Sequence, residues 1–131
     1  MKNGYNLFME TTMNSGVDLM RPERKITRHA LHELQAMLRQ LYGQRSPKLL
    51  IYGSYARKDE KVASDVDVLL LYSEPIRPGY EVQLMSEILA DLNLRYQELI
   101  SILPVEEANY RTAEGIFWQN LRQEGIPIER I

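Results

Sequence analysis

Cysteine is absent from the 131-residue sequence, and neither sign of charge dominates it. Without cysteine, the protein has no disulfides, no thiolate zinc site and no cysteine nucleophile. The 16 basic residues nearly balance the 18 acidic ones. A general nucleic-acid binder needs a broad positive field to displace counterions, so we expect no long nucleic acid as a partner.

Long hydrophobic runs are also missing. No stretch approaches the roughly 20 apolar residues of a membrane span, and the first residues do not resemble a secretory leader. We therefore expect a soluble, cytoplasmic protein. With 44% hydrophobic residues, the chain is long enough for one buried core. Residues 1–21 show no regular period and are predicted to form an irregular arm, and residues 22–131 to form one domain.

Periodicity predicts three helices and three strands. Apolar residues at steps of three and four predict a helix from Pro22 that ends at Gly43, and later helices around Val82–Leu92 and Ala113–Gln123. Shorter apolar runs predict strands at 49–52, 66–72 and about 99–105. Pro104 restricts the third strand to an edge of the sheet, or places the proline near the strand's end. The fold class is therefore predicted as α/β, with helices packed on a small mixed sheet.

A glycine and a serine stand where the first strand ends, in the run Gly53-Ser54-Tyr55-Ala56-Arg57. Glycine lets a backbone approach a phosphate closely, and the amides of a helix that begins there would point at the anion. Many turns share this pattern, so it is weak evidence when taken alone.

Two aspartates give the pattern its specificity. Asp65 and Asp67 lie two residues apart at the start of the second strand, so they share one face and would repel each other without a cation. Mg²⁺ prefers carboxylate oxygens together with substrate phosphates. The aspartates and the Gly-Ser turn therefore predict a site for a magnesium-bound nucleoside triphosphate.

The pattern G-S-x-A-R followed by S-D-x-D and an apolar run resembles the minimal nucleotidyltransferases of the DNA polymerase β superfamily. The similarity extends to the final segment, Phe117 to Ile126. The resemblance implies a nucleotidyltransferase fold, with Gly53 and Ser54 holding the triphosphate of ATP and with Asp65 and Asp67 binding Mg²⁺. It also implies that Arg57 contacts phosphate or braces the loop. Ser64 would orient the carboxylates.

Two positions depart from the family pattern. Lys58 stands where the family usually has glycine. A third carboxylate, which a later strand carries in the family, falls on Ser101 if the strand is registered by its acidic turn, Val105-Glu106-Glu107. Glu98, the nearest acid upstream, would face the opposite side from Ser101 in a regular strand. Either Glu98 substitutes from the beginning of the strand as a catalytic residue, or the site has two carboxylates.

The resemblance suggests two functions of different classes. One is an enzyme that transfers a nucleoside monophosphate, AMP from ATP, to a hydroxyl of a partner such as a small helical HEPN-type toxin. The other is a catalytically impaired antitoxin that neutralises its partner by covering it. An aminoglycoside-type adenylyltransferase shares the chemistry but normally needs a further domain to hold the drug. The sequence leaves the acceptor and the oligomeric state open.

Overall fold

The computed structural model describes residues 25–57 and 65–131. The predicted arm at residues 1–21, Lys58 and Ser64 lie outside these ranges. The helices are α1 (Lys25–Tyr42), α2 (Ser54–Arg57), α3 (Pro78–Tyr96), α4 (Glu107–Thr112) and α5 (Ile116–Glu124). The strands are β1 (Lys48–Tyr52), β2 (Val66–Tyr72), β3 (Ile100–Glu106) and β4 (Ile126–Pro127). Short 3₁₀ turns cover Gly43–Arg45 and Ile128–Arg130.

The four strands form one mixed sheet in the order β3-β2-β1-β4. β1 runs antiparallel to β2 and β4, whereas β2 and β3 are parallel. The chain crosses from β2 to β3 through α3, as parallel neighbours require a long connection. Pro104 lies in β3, which is at the edge of the sheet, as predicted. An edge strand has a neighbouring strand on one side only, so a proline, which lacks an N–H, is tolerated there.

Apolar side chains form a cluster on each face of the sheet. The larger cluster joins buried residues of α1 and α3 to Val66, Val68 and Leu70 of β2. The smaller one joins Leu69 and Leu71 of the same strand to β3 and α5. Burial of both faces explains why the sequence of β2 is nearly continuously apolar after Asp67. The predicted α/β architecture, a small mixed sheet packed with helices, is confirmed.

One buried cluster is polar. Tyr42 at the end of α1 donates a hydrogen bond of 2.6 Å to Glu81 of α3, and its hydroxyl lies 3.0 Å from that of Tyr72. Glu81 is 3% exposed. Burial raises the pKa of Tyr42, and burial raises that of Tyr72 to about 12, so both hydroxyls keep their protons at neutral pH. These contacts connect the two helices to the end of β2.

Among the helices of the described ranges, none has both the length and the apolar character needed to cross a membrane.

Candidate nucleotide site

The site forms where the end of β1 meets the beginning of β2. The antiparallel register pairs Tyr52, the last residue of β1, with Asp67. Gly53 then turns the chain into α2. The ladder between β1 and β2 thus brings Gly53 and Asp67 together.

Gly53 lies directly against the carboxylate of Asp67. Its φ of +76° is in the left-handed region, and a Cβ added to it would lie 2.6 Å from Asp67 Oδ2. Any other residue would be strained by the backbone and would also displace the aspartate. The absence of a side chain at Gly53 therefore lets the carboxylate of Asp67 pack directly against the backbone of the turn.

Asp67 belongs to a row of side chains on one face of β2, and Asp65 comes just before that strand. Asp67 has the same phase along β2 as Leu69 and Leu71, which pack in the smaller cluster, and Asp65 lies two residues earlier. Asp65 is exposed and Asp67 is partly buried. Two carboxylates at such positions, one reachable from solvent, fit the oxygen ligands of Mg²⁺.

Tyr52 is a neighbour of the site that the sequence did not identify. Its side chain is partly buried beside the smaller cluster. Burial raises its pKa, and the charge of Asp67 raises it further, so the phenol stays protonated next to the carboxylate. Tyr52 can be identified only from the pairing of β1 with β2, because nothing in the run Leu49-Leu50-Ile51-Tyr52 distinguishes it.

Ser101 occupies the position beside Asp67 on the other side. The parallel ladder between β2 and β3 pairs these two residues, in agreement with the register inferred from the acidic turn. The row across the sheet at this level is therefore Tyr52, Asp67 and Ser101. The neighbour of Asp67 on β3 carries no charge.

Glu98 lies elsewhere. It precedes β3, and its Oε2 accepts a hydrogen bond of 2.8 Å from Thr27 Oγ1 of α1, the helix that covers the larger cluster. Within residues 25–57 and 65–131, no three acidic, histidine or cysteine side chains are close enough to hold a metal ion. Glu98 therefore does not join Asp65 and Asp67, because it points to the opposite layer from Ser101. This arrangement fits the two-carboxylate alternative.

For the remaining predicted ligands, the structure gives the position of the backbone at most. Ser54 and Arg57 are the first and last residues of α2, immediately after Gly53. Ser64 is outside the described part of the chain. The roles of Ser54 and Arg57 in binding phosphate and of Ser64 in orienting the carboxylates stay predictions.

Comparison with known proteins decides the family. Residues 44–125, more than half of the chain, match the model described as "Polymerase beta, Nucleotidyltransferase". The chain belongs to this family. The match begins before β1 and ends after α5, so this nucleotidyltransferase domain includes Gly53, both aspartates and Ser101.

Solved structures are similar to this nucleotidyltransferase domain at low sequence identity. A toxin–antitoxin crystal structure with AMP-PNP is 14% identical, with a TM-score of 0.51 over 77% of this chain and 71% of that chain. A mutant MntA–HpeT toxin–antitoxin is 12% identical, with a TM-score of 0.50 over 74% and 70%. A tri-AMPylated Shewanella oneidensis HEPN toxin in complex with MNT antitoxin is 15% identical, with a TM-score of 0.49 over 77% and 70%. No curated protein matches the chain.

Proposed function

We propose that this domain transfers AMP from magnesium-bound ATP to a hydroxyl group of a HEPN-type partner protein. The observation that carries the proposal is the contact of Gly53 with the carboxylate of Asp67, with Asp65 two residues away. Membership of the nucleotidyltransferase family supports the reaction class. The shared fold with an AMP-PNP-bound toxin–antitoxin structure supports the nucleotide and the kind of partner.

Each residue of the site would have a separate role. Asp65 and Asp67 would hold Mg²⁺. Gly53 lets the turn lie against the carboxylate of Asp67, so phosphates held by the turn would be close to the metal ion. Ser54 and Arg57 at the ends of α2 are predicted to hold the phosphates in place. When bound, Mg²⁺ would offset the charge of the phosphate oxygens. The protein's contribution is therefore mainly to position the reactants, as in other phosphoryl-transfer sites.

The proposal is tested by incubating the chain with labelled ATP, Mg²⁺ and a purified HEPN-type protein. We expect label to be transferred to that protein, and Asp67→Asn to lower the rate by at least about 100-fold, since it removes a proposed metal ligand. Asp91→Asn is the matched control, because Asp91 is an exposed acid that pairs with Arg95 on α3. If the wild-type chain neither transfers label nor binds ATP in a Mg²⁺-dependent way, the proposal is wrong.

A second function, neutralisation by binding alone, is favoured by the uncharged partner of Asp67 on β3. With Ser101 at that position and Glu98 bound to Thr27, the described part of the site offers two carboxylates. A double Asp65→Asn, Asp67→Asn variant separates the two functions. A binding antitoxin would still neutralise its toxin in a growth assay, whereas an AMP-transferring one would not.

A further inference from the structure

The turn between α3 and β3 is connected to the aspartates through the backbone of β2. The amide of Val66, which lies between Asp65 and Asp67, donates a hydrogen bond of 2.9 Å to the carbonyl of Leu99. This bond is the first of the ladder that holds β2 against β3. The position of Leu99 therefore fixes the start of β2 at Val66, between the two aspartates.

The turn that presents Leu99 is itself built from specific contacts. Gln97 caps α3 in the left-handed region with a φ of 53°. Asn93 fixes the residues on both sides of Leu99, because its carbonyl accepts from the Glu98 amide at 3.2 Å and its side-chain oxygen accepts from the Ile100 amide at 3.0 Å.

The side chain of Glu98 attaches this turn to α1. Thr27, the donor, is 2% exposed, so its hydroxyl has little access to water as an alternative partner. A buried hydroxyl that loses its partner is costly, which makes this contact a firm one. The path from Thr27 through Glu98 and Leu99 to Val66 crosses from the helical layer to the start of β2, beside the two aspartates.

We infer that Glu98 and Thr27 are positioning residues, which hold Asp65 and Asp67 in register for the metal ion without contacting it. The inference rests on the proposed function, because the register matters only if the aspartates bind a metal ion. The hydrogen bonds along the path do not depend on that function. Removing a partner that orients metal ligands typically lowers metal affinity about 10- to 100-fold. Since this path acts through one backbone bond, an effect near the lower end, about 10-fold, is expected.

The test compares the Mg²⁺ concentration dependence of nucleotide binding in four variants. Glu98→Ala and Thr27→Val should raise the Mg²⁺ midpoint about 10-fold, while binding at saturating Mg²⁺ is unchanged. Glu98→Gln should stay near the wild type, because its amide oxygen still accepts from Thr27. Glu129→Ala is the control, since Glu129 bonds Gln35 elsewhere on α1. A merely structural role would lower the folded fraction and leave the midpoint of the folded molecules unchanged.

A second measurement needs no metal or nucleotide. Hydrogen exchange at the Val66 amide should accelerate in Glu98→Ala and stay unchanged in Glu129→Ala and Glu98→Gln. A wild-type midpoint or unchanged Val66 exchange in Glu98→Ala would overturn the inference. The inference would also be overturned if Glu98→Gln behaved like Glu98→Ala, because the charge of Glu98, and not its hydrogen bond to Thr27, would then account for the change. Absence of Mg²⁺-dependent nucleotide binding in the wild type would instead refute the proposed function, and Val66 exchange would still report whether the connection holds.

Discussion

Replacing Ser101 by aspartate should convert the proposed two-carboxylate site into one with three carboxylates. Ser101 is the parallel-ladder partner of Asp67, and neighbouring strands lie about 4.8 Å apart, so the new carboxylate would stand close beside the existing one. At about 5 Å and an effective dielectric constant near 20, two like charges repel by about 3 kcal/mol. Without metal, we therefore expect Ser101→Asp to lower the free energy of unfolding by about 1–3 kcal/mol, the smaller value reflecting access of water.

A bound Mg²⁺ ion reverses the sign of this interaction, because both carboxylates then face a cation. If even half of the repulsion is recovered as attraction, about 1.5 kcal/mol, the Mg²⁺ midpoint falls by slightly more than about 10-fold. Metal titrations monitored by ATP binding measure this directly, and transfer of AMP to a HEPN-type protein should accelerate with it. Ser101→Asn has a similar shape without charge and is the control. A midpoint that is unchanged or higher in Ser101→Asp would refute the placement of position 101 beside the metal.

Two further substitutions test other parts of the structure. Gly53→Ala should cost at least about 1–2 kcal/mol of unfolding free energy and weaken Mg²⁺-dependent ATP binding, because its Cβ would meet Asp67 at 2.6 Å in a left-handed backbone. Chemical denaturation checks this against Gly79→Ala, whose Cβ meets open space, and equal stability of the two variants would contradict it. Tyr42→Phe should cost about 2–3 kcal/mol by removing the hydroxyl that donates to buried Glu81. Tyr96→Phe, which removes a similar bond to the more accessible Glu33, should cost clearly less in the same denaturation assay, and the opposite order would be a contradiction.

The sequence predicted β2 well and the smaller elements poorly. Alternation and apolar content marked residues 66–72, because burial on both faces leaves a strong signal in seven consecutive residues. α4 and β4 were missed since six and two residues are too few to show a period. Their placement comes from packing beside β3 and pairing with β1, which are tertiary effects.

Burial on α3 was predicted correctly in part. Met85 and Leu92 of the predicted apolar stripe are fully buried, whereas Val82 is 39% exposed. Its neighbour Glu81 is buried instead, since the hydroxyl of Tyr42 provides a donor that offsets the loss of water. Hydrophobicity alone cannot reveal that Glu81 is buried in place of Val82, because the hydrogen-bond donor of Glu81, Tyr42, lies 39 residues earlier in the chain.

For the site, residues on one strand were easier to predict than neighbours across strands. The two-residue period predicts a shared face for Asp65 and Asp67, which stays a prediction for Asp65. It also separated Glu98 from Ser101, in agreement with the contact of Glu98 with Thr27. Tyr52 was missed because its proximity to Asp67 depends on the pairing of β1 with β2. The contact of Glu98 with Thr27 joins residues 71 positions apart, so no local pattern could indicate it.

The positions of the site residues in the sheet suggest that position 101 is where a third carboxylate can be added beside Asp67. Asp67 lies on β2, an interior strand with apolar clusters on both faces, and it contacts Gly53 after β1. Ser101 lies on β3, the edge strand, where one ladder holds the backbone and a changed side chain disturbs fewer neighbours. A carboxylate can therefore be added at position 101 without repacking the interior of the sheet. Ser101 is therefore the most informative residue to replace, because an added carboxylate beside Asp67 should change metal-dependent ATP binding and AMP transfer together.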